Sequence, residues 1–119
     1  LPVVMGTRPV PDDAAVRGPG GALLALRTHD PAEVLRELSS RGVREVLIEG
    51  GPTIASAFLA AGLADELHAY ISPALLGAGA QAVSGLGIST ITSALRIHIV
   101  DVHRLGDDLL VVARPRSPG

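Results

Sequence analysis

Cysteine is absent from this sequence, and aromatic residues are almost absent. Among its 119 residues there is no Cys and no Trp, and the aromatic side chains are those of Phe58 and Tyr70. A chain without cysteine forms neither disulfides nor thiolate metal sites. A chain with so few aromatics also lacks the stacking surfaces on which proteins bind single-stranded nucleic acid. Its core must therefore be built from Val, Ile, Leu and Ala.

A strong net charge and a long apolar run are also missing. The formal net charge is −2 at pH 7, which gives no electrostatic basis for binding nucleic acid or an anionic membrane. No apolar run approaches the roughly 20 residues of a membrane span, and no signal peptide is recognisable, so we expect a cytoplasmic protein. Hydrophobic residues make up 47% and charged residues 18%, the composition of one globular domain.

The order of the predicted elements is typical of an α/β fold. Apolar runs, alternation and turn residues predict strands over residues 2–5, 22–26, 43–48, 67–72, 95–102 and 109–113. Helices are predicted to begin at Pro31 and Pro52. Parallel crossovers therefore come first, and an antiparallel hairpin with a turn at 106–108 comes last. The alternation breaks at Ile99–Val100, which predicts a β-bulge.

The first predicted helix has clear start and stop signals. Asp30 is a capping residue before Pro31, and Glu33 is expected to complete a capping box. Gly42 stands where a left-handed residue ends a helix. The strand that follows, residues 43–48, becomes apolar on both faces, which predicts an interior strand of a mostly parallel sheet.

The stretch V-L-I-E-G-G-P-T-I-A-S-A at 46–57 predicts a phosphate site. Two glycines let the backbone approach a ligand closely, and the N–H groups of a first helical turn attract an anion. Glu49 stands at the carboxyl end of the predicted strand, where open α/β sheets bind ligands. A tight strand-to-helix turn is the alternative explanation of Gly-Gly-Pro. Neither G-x-G-x-x-G nor a P-loop lysine is present.

Several spaced motifs resemble one enzyme family. They are E-G-G-P-T at 49–53, A-F-L-A-A-G-L-A-D-E-L at 57–67, P-A-L-L-G at 73–77 and G-D-D-L-L-V-V-A-R-P at 106–115. Together they resemble the reductase domain of the bifunctional riboflavin-biosynthesis deaminase/reductase. The resemblance implies a dihydrofolate reductase-like mixed sheet. It also implies NADPH-dependent reduction of 5-amino-6-(5-phosphoribosylamino)uracil to its ribitylamino form, in a cytoplasmic homodimer.

The resemblance also implies roles for particular residues. Glu49 would contact the substrate, and Thr7, after the first strand, would contact the adenosine end of NADPH. Arg8, the next residue, is not part of the resemblance, but its guanidinium suits the 2′-phosphate that distinguishes NADPH from NADH, so we expect it to bind there. A cis peptide is expected between the two glycines at 50–51, and no catalytic residue is assigned. The expected cofactor-phosphate residues are Gly50, Gly51, Pro52, Thr53, Ile54, Ala55, Ser56 and Ala57.

The sequence departs from the family at its beginning. The strand, helix and loops with which the family's domain starts are absent, so we expect residues 1–119 to form a partial reductase domain, inactive alone. Two alternatives are another dihydrofolate reductase-like oxidoreductase and a non-catalytic nucleotide-binding or dimerisation module. The histidines at 29, 68, 98 and 103 lack metal-ligand spacing, so no metal site is expected. Asp65–Glu66 resembles an acid/base pair but is expected to be solvated or at an interface.

Overall fold

Two short strands, two helices and three further strands follow one another along the chain in a computed structural model that describes residues 1–49 and 51–116. The elements are β1 (Val3–Met5), β2 (Leu24–Leu26), α1 (Pro31–Ser40), α2 (Pro52–Ala60), β3 (Leu67–Ile71), β4 (Ile97–Leu105) and β5 (Asp108–Pro115), with 3-10 turns at Ala15–Arg17 and Ile91–Ser93. They form two compact units, Leu1–Leu47 and the chain from Ile48 onward.

The first unit contains a parallel pair of strands followed by a helix. β1 pairs with β2 in the register Val3↔Leu24 and Met5↔Leu26. The N–H of Gly6 donates to the carbonyl of Leu26 at 3.1 Å, which extends this ladder beyond β1. The buried residues of the unit are Val34 and Leu38, one helical turn apart on α1, as expected for the apolar stripe of an amphipathic helix.

The cap of α1 differs in detail from the predicted capping box. Asp30 is the N-cap, but its Oδ1 accepts the N–H of Ala32 at 3.0 Å. The N–H of Asp30 donates to Thr28 Oγ1 at 3.0 Å instead of to Glu33, and the same Thr28 hydroxyl donates to Glu33 Oε2 at 2.7 Å. The prediction that Glu33 closes the box was therefore wrong, because the Thr28 hydroxyl lies between the two groups and bridges them.

Both helices end in the same hydrogen-bonded motif. Gly42 follows α1 with φ +84°, and Gly62 follows α2 with φ +69°. In α1 the N–H of Val43 donates to the Leu38 carbonyl at 3.1 Å, and in α2 the N–H of Leu63 donates to the Phe58 carbonyl at 3.0 Å. These are Schellman endings, in which glycine takes the left-handed conformation without a Cβ clash. The predicted stop at Gly42 is confirmed.

The interior strand predicted at 43–48 was wrong. Val43 completes the Schellman ending of α1, and no strand is assigned to residues 44–49. Leu47 is 79% exposed, although the sequence predicted burial on both faces. An interior strand needs a hydrogen-bonded neighbour on each side, and the strands of the described ranges pair only as β1 with β2 and as β3 and β4 with β5.

The second unit carries an antiparallel sheet of order β3-β5-β4. Pairing runs from Leu67↔Ala113 to Ile71↔Leu109 on one side of β5, and a register shift lies between Ile99 and Asp101 on the other. The predicted bulge is thus confirmed, with Val100 as the extra residue. Among the described residues of this unit, the buried apolar ones are Phe58 on α2 and Ala113 on β5.

The hairpin turn is shorter than the predicted one. Leu105 and Asp108 are paired, so the loop consists of Gly106 and Asp107 alone. Gly106 has φ +62°, whereas none of the described non-glycine residues has a positive φ. One left-handed glycine followed by a residue with negative φ corresponds to a type II′ turn, a preferred turn of antiparallel hairpins.

None of the described helices is both long and apolar enough to cross a membrane.

Candidate functional site

The first turn of α2 presents an open approach to its backbone. Gly51 is the N-cap, with φ −67° and ψ −175°, and Pro52 occupies the first helical position. A Cβ built on Gly51 would meet nothing within 4 Å, and an N-cap glycine has no side chain to cover the N–H groups that follow it. Since helix N-termini attract anions, this corner can receive a phosphate group.

The residues after Gly51 divide into exposed and buried ones. Thr53 is exposed and can offer its hydroxyl to a ligand, whereas Ser56 is 4% exposed and lies inside the unit. Ser56 Oγ accepts the backbone N–H of Ser84 at 2.7 Å. Ser56 therefore anchors the loop between β3 and β4 to α2. No local pattern in the sequence predicts this contact, because the two residues are far apart in the chain.

Glu49 immediately precedes the two glycines, and its side chain is exposed. It contributes a carboxylate beside the α2 corner that solvent, or a ligand, can reach. Gly50 lies outside the described residues, and so does the cis peptide bond predicted between it and Gly51. Of the predicted cofactor segment, the structure thus describes Gly51 and the first helical turns of α2.

Thr7 and Arg8 belong to the first unit, where they follow β1 and are exposed. Thr7 Oγ1 lies 3.5 Å from the Nε2 atom of His29, a residue for which the sequence predicted no role beyond the absence of a metal site. The parallel pairing of β1 and β2 brings the two together, because the carboxyl ends of parallel strands meet at one edge of a sheet.

Of the candidate acid/base pair at 65–66, Glu66 takes part in an ion-pair cluster. His68 Nε2 lies 2.6 Å from Glu66 Oε1, and Arg114 lies 3.7 Å from Glu66 Oε2. The hydrogen bond from His68, assisted by the positive charge of Arg114, lowers the pKa of the Glu66 carboxyl below its ordinary value. A general acid needs a pKa near the operating pH, so Glu66 is better suited to pairing than to catalysis.

The histidines do not assemble a metal site in the part of the chain that the structure describes. His68 pairs with Glu66, and His103 Nε2 lies 3.1 Å from Asp101 Oδ2. Both pairs lie on the antiparallel sheet, where each histidine has a carboxylate two residues before it in the sequence.

Comparison with known proteins identifies the family. The model of the RibD C-terminal domain matches residues 2–111. This chain belongs to the RibD C-terminal domain family. The riboflavin biosynthesis protein RibD of Mycobacterium tuberculosis is 47% identical over 111 residues, which cover 93% of this chain and 32% of that protein. A 2,5-diamino-6-ribosylamino-4(3H)-pyrimidinone 5′-phosphate reductase of Methanothermobacter thermautotrophicus is 35% identical over 81 residues, covering 66% of this chain and 37% of the reductase.

Solved structures give the same family and the fold. A RibD of Acinetobacter baumannii matches with a TM-score of 0.83 at 27% identity, covering 96% of this chain and 37% of that one. The deaminase/5-amino-6-(5-phosphoribosylamino)uracil reductase of Thermotoga maritima matches with a TM-score of 0.71 at 27% identity, covering 96% of this chain and 30% of that one. The predicted fold class is confirmed as the dihydrofolate reductase-like α/β fold of RibD reductase domains. The chain spans about a third of the length of these relatives.

Replacing Ser56 by Ala should loosen the loop at 77–87. The buried acceptor of the Ser84 N–H would be lost, and an amide left without a partner costs about 1–3 kcal/mol. We expect faster hydrogen–deuterium exchange of the Ser84 amide, measured by mass spectrometry or NMR. Ser40→Ala is the matched control, because Ser40 is exposed and bonds locally to the Glu37 carbonyl. Unchanged exchange at Ser84 would contradict the anchoring role.

Proposed function

We propose that this chain is the cofactor-binding part of a RibD-type reductase. The reaction is the NADPH-dependent reduction of 5-amino-6-(5-phosphoribosylamino)uracil to the ribitylamino form in riboflavin biosynthesis. The observation that carries the proposal is the open helix corner at Gly51, within the motif E-G-G-P-T of a RibD-family chain. A relative also supports the proposal, because a protein named as a pyrimidinone 5′-phosphate reductase is 35% identical to this chain over 81 residues.

The residues at the α2 corner fit the diphosphate of a dinucleotide. Gly51 leaves space that a Cβ would fill, and Thr53 adds an exposed hydroxyl. The helix dipole favours the negative charge there. Gly50 and the turn Gly51, Pro52, Thr53, Ile54, Ala55, Ser56 and Ala57 form the proposed binding segment. Within it, Ser56 acts by holding the loop at Ser84, because its oxygen is buried against that amide.

Of the remaining proposed contacts, two are to the adenosine end of the cofactor and one is to the substrate. Thr7 binds the adenosine end of the cofactor, and Arg8 pairs with its 2′-phosphate, for which a guanidinium is well suited. Glu49 orients hydroxyl groups of the substrate ribose. Bound NADPH supplies the hydride, and the protein positions the two reactants so that transfer is favourable.

We further propose that residues 1–119 are part of a larger reductase domain. Two observations support this. The matched relatives are about three times as long as the matched segment, and residues 43–49 are strand-like in sequence but have no ladder neighbour in the described ranges. The rest of the domain would cover the exposed Leu47. The proposal includes a cytoplasmic homodimer, which the exposed Ile99 and Val102 of β4 support.

Substitution of Gly51 by Ala tests the corner without disturbing the fold. Gly51 has an ordinary φ and open space around it, so Ala is compatible with the helix start. In the full-length protein we expect NADPH to bind about tenfold more weakly, because the methyl group enters the space proposed for the diphosphate. The melting temperature should fall only slightly, because Ala is a poorer N-cap than Gly. Gly20→Ala is the control, since its Cβ also meets nothing within 4 Å. Isothermal titration calorimetry measures the affinity; equal affinities of wild type and Gly51→Ala would reject the site.

Replacing Glu49 by Gln should weaken substrate binding and leave cofactor binding unchanged. Hydrogen bonds from hydroxyl groups to a carboxylate are stronger than those to a neutral amide. We therefore expect the substrate KM of the full-length enzyme to rise about tenfold. The Kd for NADPH should stay at the wild-type value. Glu45→Gln, an exposed glutamate four residues earlier, is the control. A Glu49→Gln enzyme with normal substrate KM and kcat would remove this residue from the substrate site.

The chain of 119 residues should show no turnover by itself. Parts of the substrate and nicotinamide sites are proposed to lie in the remainder of the domain, so the fragment lacks groups that the reaction needs. The measurement is NADPH oxidation at 340 nm with substrate, for the fragment and for the full-length protein side by side. Steady turnover by the fragment would contradict the partial-domain proposal. NADPH binding without turnover by the full-length protein would instead favour a non-catalytic binding module.

A further inference from the structure

His29 is held beside Thr7 at the carboxyl ends of two parallel strands. Met5 pairs with Leu26, so the residues that follow them in the chain leave the sheet at the same edge. Thr7 Oγ1 and His29 Nε2 are 3.5 Å apart. The imidazole also lies over the backbone of Gly6, because a Cβ built there would be 3.7 Å from His29 Cε1. A ligand that contacts Thr7 therefore meets His29 as well.

The backbone on either side of His29 is fixed by hydrogen bonds. The N–H of Thr28 donates to the Leu26 carbonyl at 2.9 Å. After His29, the N–H of Asp30 donates to Thr28 Oγ1 at 3.0 Å, and Asp30 Oδ1 in turn accepts the N–H of Ala32 at 3.0 Å. The carboxylate of Asp30 is thus occupied in capping α1. This network sets the position of His29 before any ligand arrives, which lowers the ordering cost of binding.

His29 differs from the other histidines in what its side chain touches. His68 bonds to Glu66 and His103 bonds to Asp101, and His98 lies opposite Arg114 across β4 and β5. The side-chain partner of His29 within the described ranges is the neutral hydroxyl of Thr7. The imidazole is exposed, and its ring N–H can be offered to an anion without breaking an ion pair.

We propose that His29 is a third contact to the 2′-phosphate of NADPH, beside Thr7 and Arg8, and that it contributes to the preference for NADPH over NADH. This inference rests on the proposed function. A phosphomonoester presents several acceptor oxygens, which match an imidazole N–H, a hydroxyl and a guanidinium. The three residues lie at the carboxyl edge of parallel strands, where α/β sheets bind nucleotides.

The experiment compares the affinities of NADPH and NADH in the full-length protein. For His29→Ala we expect the Kd of NADPH to rise about five- to tenfold, since a charge-assisted hydrogen bond is lost at an exposed site. The Kd of NADH should not change, because NADH lacks the 2′-phosphate. His29→Arg should retain the preference, because it keeps a donor at this position. His98→Ala is the matched control, an exposed histidine on β4, and should leave both Kd values unchanged. Intrinsic NADPH and NADH fluorescence provides the readout, and chemical shift changes of the His29 imidazole on adding 2′-AMP rather than 5′-AMP provide a second.

An unchanged ratio of the two Kd values in His29→Ala would overturn the inference. If both Kd values stayed at the wild-type level, His29 would make no contact with the cofactor. If both rose equally, His29 would only support local structure. Failure of the proposed function is recognised separately, because the wild-type full-length protein would then bind neither dinucleotide, and the inference would fall with it.

Discussion

Extended backbone is stable only where its N–H and C=O groups find partners, and this requirement organises the whole chain. The first unit satisfies it with one parallel pair, β1 and β2, and the second with the antiparallel order β3-β5-β4. Between them, residues 44–49 are assigned to no strand. Apolar side chains alone do not make a strand at 43–48, because the loss of water from unpaired amides is not compensated. The carboxylate of Glu49, the proposed substrate contact, stands at the end of this segment.

Glycines have two different roles in these segments. At Gly42 and Gly62 it allows the left-handed turn that ends a helix. At Gly51 its value is different, because the backbone there has an ordinary conformation and the useful property is the empty space where a Cβ would be. The same residue type therefore serves as a stop signal at two positions and, in the proposed function, as a ligand approach at a third. The burial of Ser56 behind that approach ties the loop at Ser84 to the same helix.

Local signals in the sequence predicted well what depends on neighbouring residues. The start of α1 at Pro31, its stop at Gly42 and the bulge at Val100 depend on short stretches of chain, and each was predicted correctly. The motif E-G-G-P-T, with the other spaced motifs, was enough to identify the family. Distant contacts were not predictable in this way. The anchoring of Ser84 by Ser56 and the approach of His29 to Thr7 each join residues whose proximity only the fold creates. The strand at 43–48 failed for the same reason, since its pattern is local but its partners are not.

The extra residue Val100 has a consequence for the two sides of β4. In an unbroken strand, residues 98 and 101 would point in opposite directions, since an odd step separates them. With the bulge, His98 is level with Arg114 and Asp101 with Val112, both on one side of the sheet. Ile97, Ile99 and Val102 then share the other side. Removal of Val100 would leave every side chain on its present side, because residues 97–99 and 101–105 already alternate in phase without it. Regular pairing of Val100 in place of the bulge would instead turn over the first third of the strand and exchange its apolar and polar sides.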